Sequence, residues 1–171
     1  MHMRSLVVYH SRSGTTRKVA ERAAEALAGD LAEVRTPRYA RGLLGFMHAG
    51  RDSWTGRLPP IEVSGGSPEG YDFVLVMGPV WVAHASTPIR AYLAQNCGRF
   101  RRLAFVLTCG NSASTRAFQE MGDLAGMKPD AVFSIRARDI ENQESLPSSL
   151  AEFLSSIKLR HAAPAADPAR E

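Results

Sequence analysis

One stretch constrains this chain more than any other: Leu6–His10, then Ser11-Arg12-Ser13-Gly14-Thr15-Thr16, then a helical repeat. Leu6, Val7, Val8 and Tyr9 form an unbroken apolar run, the pattern of a strand buried on both faces. Val19, Ala20, Ala23, Ala24 and Leu27 recur at helical spacing and predict a helix over Thr15–Ala28, with Gly29 as its stop. A strand, a hydroxyl-rich turn and a helix together make an anion site. The first N–H groups of a helix lack intrahelical partners, and the helix dipole makes that end partly positive. Ser11, Ser13, Thr15 and Thr16 add neutral donors, and Gly14 lets the backbone approach a ligand closely. A plainer alternative is that Ser13 or Thr15 simply caps the helix. A cap needs one such residue, whereas four stand here within six positions.

The turn matches neither G-x-x-x-x-G-K-[ST] nor G-x-G-x-x-G, and it holds no lysine to neutralise a triphosphate. Its one charge is Arg12. Hydroxyls and amides of this kind suit a single phosphate monoester.

The remaining chain alternates strand and helix. Leu31–Arg35 has a weak apolar signal and reads as a second strand at the sheet edge. Tyr71–Gly78 is apolar on both faces, as a central parallel strand is, and Gly78-Pro79 is expected to end its ladder. Ser86–Asn96 reads as a helix capped by Ser86, with Ile89, Tyr92 and Leu93 inward. Leu103–Thr108 and Ala131–Ile135 read as further strands. Helices are predicted over Ser114–Leu124, with Ala117, Phe118, Met121 and Leu124 on one side, and over Leu146–Ile157, with Leu150, Phe153, Leu154 and Ile157 inward. This rhythm predicts an α/β fold, a five-stranded parallel sheet of order 2-1-3-4-5 with helices on both faces. Ligands of such sheets sit beyond the carboxyl ends of the strands, at the switch point between strands one and three. That rule gathers three loops, 11–16, 78–87 and 108–114.

A length of 171 residues suits one domain, taken as 1–159, with an Ala-, Pro- and charge-rich tail from Arg160 that is expected to be disordered. No run of 18 apolar residues exists, so no membrane helix is expected, and the first residues pass straight into a strand without a visible signal peptide. Cys97 and Cys109 show no metal or C-x-x-C spacing, which points to free thiols in a reducing cytoplasm. Residues 37–70 break the rhythm. Leu43, Met47, Arg51 and Trp54 fall on one helical face, and Phe46 and Trp54 read as anchors of a lid or as parts of a binding site. An irregular connection from Pro59 to Gly70 follows. Arg35, Arg38, Arg41, Arg51 and Arg57 are opposed there only by Asp52. The cluster reads as a solvated surface; an anionic partner stays open, and nucleic acid is the weaker option.

The second loop presents Trp81, on which a flat ring can stack. On these residues the chain resembles the flavodoxin family. Ser11–Thr16 resembles the family's phosphate loop, and Tyr71–Trp81 resembles its central strand and flavin-flanking loop. The resemblance spans residues 4–158 and implies a flavodoxin-like three-layer sandwich holding FMN without a covalent bond. It implies the phosphate on Ser11, Arg12, Ser13, Gly14, Thr15 and Thr16, and the ring against Pro79, Val80, Trp81, Val82 and Ala83. His84 would donate to the flavin or face solvent. Thr108, Cys109, Gly110 and Asn111 would take the ring's other side, where the family often places an aromatic residue and this loop has none. Cys109 has no resolving cysteine beside it, so a redox role for its thiol is not expected. The implied activity is electron transfer to a redox protein partner, or reduction of a small quinone-like acceptor with NADH or NADPH. No residue nominates itself as a catalytic acid or base. Electron carriers of the family are strongly acidic, whereas this chain has a net charge of +4. The short connection Arg136–Ser145 resembles the short form of the fold. The competing expectation is a flavin-free binding or regulatory module with Trp81 structural and the hydroxyl loop a cap.

Overall fold

The computed structural model describes residues 3–37, 58–110, 115–141 and 147–162. The predicted helical face over 41–54 lies outside the described residues, as do Asn111 and the chain beyond Ala162. The strands are β1 (Ser5–Tyr9), β2 (Asp30–Arg35), β3 (Glu62–Ser64), β4 (Phe73–Trp81), β5 (His84–Ala85), β6 (Leu103–Cys109) and β7 (Ala131–Arg136). The helices are α1 (Thr15–Leu27), α2 (Thr87–Gln95), α3 (Thr115–Ala125), α4 (Ala137–Glu141) and α5 (Ser148–Ala162).

Five strands pair in parallel in the order β2-β1-β4-β6-β7, the expected 2-1-3-4-5 arrangement. Two short antiparallel strands are added. β5 folds back on the end of β4, and β3 pairs outside β2 through Glu33 with Ser64, Val34 with Val63 and Arg35 with Glu62. β2 is therefore not the edge that its weak apolar signal suggested. Ala32 and Val34 are fully buried, but Glu33 on the other face interrupts the run. Nor is Pro59–Gly70 irregular throughout, since it carries β3 and a 3-10 turn over Pro68–Gly70.

Alternation along the strands divides the core in two. Leu6 and Val8 of β1 join Val74, Val76, Phe105 and Leu107 beneath Tyr92 of α2 and Met121 of α3. Val7 and Tyr9 join Leu75 and Met77 beneath Val19, Ala23 and Leu27 of α1 and Leu150 and Leu154 of α5. Each large aliphatic or Phe side chain among them contributes about 1.5–3 kcal/mol on full burial, which fixes the register of the five parallel strands.

Three local expectations are corrected. Ala28, not Gly29, takes the left-handed conformation that ends α1, with φ 49°, while Gly29 N–H bonds Ala24 O at 2.9 Å. Glycine is needed at 29 because a Cβ there would stand 2.7 Å from Ser5 O. Ser86 occupies the N-cap of α2 but makes no side-chain cap bond. Its hydroxyl is packed toward Gly78 of β4, where a Cβ would meet it at 3.3 Å. Finally, Gly78-Pro79 does not end the β4 ladder. Gly78 pairs with Leu107 and Pro79 with Thr108, and the Pro79 carbonyl accepts Ser86 N–H at 2.9 Å. Pro79 brings no donor that the strand would have to satisfy.

Candidate functional site

The ends of β1, β4 and β6 bring their loops to one cleft of about 460 Å³. Arg12, Ser13, Thr15 and Thr16 line it from the first loop, and Pro79, Val80 and Trp81 from the second. Thr108, Cys109 and Gly110 line it from the third, and Ala137 of α4 closes it. Ser11 and Gly14 lie behind this lining as the frame of the first loop. Ser11 Oγ accepts Gly14 N–H at 3.1 Å, and Gly14 is the N-cap of α1 with φ 95°. That left-handed backbone suits glycine.

No side chain caps α1. Ser13 Oγ and Thr15 Oγ1 lie 3.2 Å from each other instead. The plainer alternative, in which one of them serves as the cap, is therefore not what the loop does. The first intrahelical bond runs from Lys18 N–H to Gly14 O at 3.1 Å. The N–H groups of Thr15, Thr16 and Arg17 precede it, so they point out of the helix end. Thr16 Oγ1 meets Thr108 Oγ1 at 2.8 Å in a buried contact, and Thr108 Oγ1 donates to Gly78 O at 3.5 Å. A hydroxyl has one proton to donate, so Thr16 donates to Thr108 and Thr108 to Gly78. This relay stitches all three loops together.

The second loop is a hairpin. Trp81 pairs with His84 across a two-residue loop, Val82-Ala83, with φ of 48° and 66°. Both central residues are left-handed, the type I′ pattern that normally takes Asn or Gly. Val82, Ala83 and His84 do not line the cleft, contrary to expectation. The turn instead holds Trp81 at the cleft wall, and Val82 projects into solvent at 55% exposure. His84 neither enters the cleft nor simply faces solvent. Its Nδ1 lies 2.8 Å from Glu120 Oε2 of α3, and Arg90 Nη2 of α2 holds Glu120 Oε1 at 2.6 Å. Cys109 is buried, with its thiol toward Ile135 O at 3.5 Å.

The sequence reading missed His10, which packs against Trp81 without lining the cleft itself. Its ring meets Trp81 edge-on, centroids 5.5 Å apart and planes at 88°. His10 Nδ1 donates to Val34 O at 2.8 Å, and its Nε2 is buried without a hydrogen-bond partner. Burial lowers its pKa below the usual 6.5, against the Val34 hydrogen bond, which acts to raise it. The signal was present in the alternation of β1, which places His10 on the same face as Leu6 and Val8. Beside it, burial acts to raise the Glu33 carboxyl, but hydrogen bonds from Arg35 and Arg17 outweigh it and hold the group below its usual range. Among the described residues no cluster of His, Cys, Asp or Glu could hold a metal ion, and no helix is long and apolar enough to cross a membrane.

Comparison with known proteins accords with this geometry. A flavoprotein from Lactobacillus acidophilus NCFM, solved in complex with FMN, superposes with a TM-score of 0.71 at 21% identity over 90% of this chain and 99% of that one. An NADH:FMN oxidoreductase in its apo form gives a TM-score of 0.56 at 18% identity, covering 96% and 92% of the two chains. A short-chain flavodoxin associated with a bacterial microcompartment gives 0.54 at 14% identity, covering 94% and 100%. At these identities the likeness shows a shared fold. No curated protein sequence matches the chain. The family model described as flavodoxin matches residues 4–144, and the chain belongs to the flavodoxin family.

Proposed function

We propose that this chain binds FMN in the cleft and works as a redox protein, passing electrons to a protein partner or reducing a small quinone-like acceptor with NADH or NADPH. The observation that carries this reading is the meeting of the α1 N-terminus, Trp81 and the Thr108–Gly110 loop around one cleft. The fit is chemical as well as spatial. Outward N–H groups, the Ser13 and Thr15 hydroxyls and Arg12 make a donor set for a phosphate monoester. Nothing lies within 4 Å of where a Gly14 Cβ would stand, so the loop is open to a ligand. A volume of about 460 Å³ falls in the range of cofactor clefts. The FMN-complexed Lactobacillus protein and the NADH:FMN oxidoreductase, which share the fold, support the same reading.

Flavin would supply the hydride and electron chemistry, and the protein would bind, orient and tune it. Thr15 and Ser13 would hold the phosphate, with their donors aligned by the helix end. Trp81 would cover one face of the ring. Thr108 and Gly110 would line the opposite wall, where small side chains leave room. The Thr16–Thr108–Gly78 relay keeps the two walls at fixed separation. Free thiols at Cys97 and Cys109 accord with a reducing compartment such as the cytoplasm.

The test is a visible spectrum of the purified protein and a titration with FMN. A flavin band, or quenching of added FMN fluorescence at one equivalent, is expected. A colourless protein that takes up no FMN overturns the reading in favour of a flavin-free module. Assays with NADH and NADPH against a quinone then separate carrier from reductase.

A further inference from the structure

Three side chains behind the Trp81 hairpin form a polar chain that does not line the cleft. Arg90 of α2 holds Glu120 Oε1 of α3 at 2.6 Å, and Glu120 Oε2 accepts from His84 Nδ1 of β5 at 2.8 Å. A carboxylate only accepts, so the shared proton sits on Nδ1. β5 and α2 both pack against α3, and Glu120 joins the three elements through side chains. Two unfavourable features stand beside this chain. Arg90 is 8% exposed, yet its Nε and Nη1 have no hydrogen-bond partner. Burying guanidinium donors unpaired is costly, and an exposed pairing such as Arg99 with Glu69 avoids that cost. Val82 and Ala83 are left-handed without being Asn or Gly. Features of this kind persist where the surrounding contacts over-determine them, and they concentrate at binding sites.

We propose that Glu120 is a positioning residue for Trp81: through His84 it sets how the indole stands against a flat ring in the cleft. The inference rests on the flavin reading for the identity of that ring, and on the hydrogen-bond chain for the coupling. The path is short. His84 is the ladder partner of Trp81, and only Val82-Ala83 lies between them in the chain. A tilt at His84 therefore reaches Trp81 through one tight turn. Ser86, next after β5, ties the returning arm to β4 through its N–H on Pro79 O at 2.9 Å. Glu120 belongs to α3, the helix that follows the third loop in sequence. It thus links the hairpin carrying Trp81 to the element behind the opposite wall. The buried Thr16–Thr108–Gly78 hydroxyls join the same loops at the strand ends. Those hydroxyls hold the backbone spacing, whereas Glu120, on the partly exposed side, aims the aromatic side chain.

The experiment uses the full chain carrying Trp54→Phe, which leaves Trp81 as the single tryptophan. His84→Ala, Glu120→Ala, Glu120→Gln and the double variant His84→Ala/Glu120→Ala are made in it. Trp81 emission and its quenching by acrylamide are read without flavin, and FMN and riboflavin are then titrated. Both alanine variants should shift the emission and weaken FMN and riboflavin by the same factor, since the ring contact and not the phosphate is disturbed. That factor is about threefold or more, below the loss expected on removing the indole itself. The double variant should fall no further than Glu120→Ala, because the two residues act in one chain. Glu120→Gln keeps the shape, an oxygen for Arg90 and a polar group for His84, and should restore most of the loss. Arg102→Ala, which breaks an ion pair with Asp130 at the other end of the sheet, should lower the melting temperature without moving Trp81. Glu120→Ala leaves a buried guanidinium uncompensated; if it does not fold, His84→Ala carries the test, because it leaves the Arg90–Glu120 pair intact. Variants that lose only melting temperature, with emission and both affinities unchanged, overturn the proposal. So do additive losses in the double variant, or an equal emission shift in Arg102→Ala. If the parent protein takes up neither FMN nor riboflavin, the flavin reading fails, and the flavin-free emission still decides the coupling: a shift in His84→Ala and Glu120→Ala sustains it, and no shift overturns it.

Discussion

The cleft at the strand ends and the groove between α3 and β7 invite comparison. The groove encloses about 1140 Å³, against about 460 Å³ for the cleft. Phe118, Met127, Pro129 and Val132 give it an apolar floor. It exists because β7 has no strand beyond it among the described residues, and α3 leaves its outer face uncovered, with Val132 at 43% exposure. The cleft has a different origin. Three chain turns leave backbone donors, hydroxyls and one aromatic ring facing a common space. Apolar volume measures how far a helix falls short of covering a sheet. Convergent polar groups from separate loops measure the capacity to hold a particular ligand.

The sharpest way to break this contrast is to remove donors from one region and add charge to the other. Ser13→Ala/Thr15→Ala should weaken FMN binding about 100-fold, since hydrogen bonds to charged groups contribute about 1.5–3 kcal/mol each. Val132→Asp in the groove should change FMN affinity less than about twofold, and stability by about 0.5 kcal/mol or less, as for an exposed position. Calorimetric titration and thermal melting of both variants are the measurements. Equal effects on FMN would erase the distinction.

A smaller effect is expected from Trp81→Ala. Losing an aromatic stack removes about 0.5–1.5 kcal/mol beyond the burial contribution, so FMN affinity should fall about tenfold. Flavin fluorescence, quenched by a stacked indole, should recover in the bound state. Unchanged fluorescence would mean that Trp81 is only wall and not stacking partner.

What could be read in advance follows from where the information lies. β1, α1, β4 and β6 are buried on one or both faces, so their periodicity shows in any short window. That the hydroxyl loop and Trp81 meet at one cleft was legible because loops at the carboxyl ends of neighbouring parallel strands converge there. β3 was not, because Glu62, Val63 and Ser64 are all exposed and carry no pattern. The hairpin after Trp81 was hidden because Val82-Ala83 lacks the Asn or Gly that marks such turns. His84 found Glu120, 36 residues away, and no local rule predicts that pairing. Thr16 and Thr108, 92 residues apart, were each assigned to the site, but the bond between them was not visible.

His10 sharpens the comparison through pH, because a buried titratable group packs edge-on against Trp81 of the cleft wall. Its folded pKa lies below 6.5, with burial as the main cause. Such a group stabilises the fold fully above pH 6.5. That stability is lost as pH falls from 6.5 toward the folded value, because the unfolded chain then binds a proton that the folded chain resists. Glu33 and Arg12 act on it in opposite directions. Melting temperature should therefore fall as pH drops below about 6.5 in the natural protein, and less in His10→Asn, which keeps an N–H for Val34 O. An identical pH profile for the variant would remove His10 from the cleft's account.

The smallest effect concerns the strain behind Trp81. Left-handed conformations are unfavourable for residues with a Cβ, by about 1–2 kcal/mol each, and most so for a β-branched one such as Val82. The strain persists because both arms of the turn are anchored, Trp81 against His10 and His84 through Glu120 to Arg90. Val82→Asn/Ala83→Gly supplies the residues that the turn prefers and keeps both anchors. It should raise stability by about 0.5–1 kcal/mol, or roughly 2–4 °C in melting temperature for a domain of this size. Glycine also loosens the unfolded chain, which offsets part of the gain. If strain in this turn is only a structural burden, FMN affinity will stay within about twofold. If affinity falls while stability rises, the strained turn is part of how Trp81 is aimed, and the cleft differs from the groove in carrying backbone strain as well as polar donors.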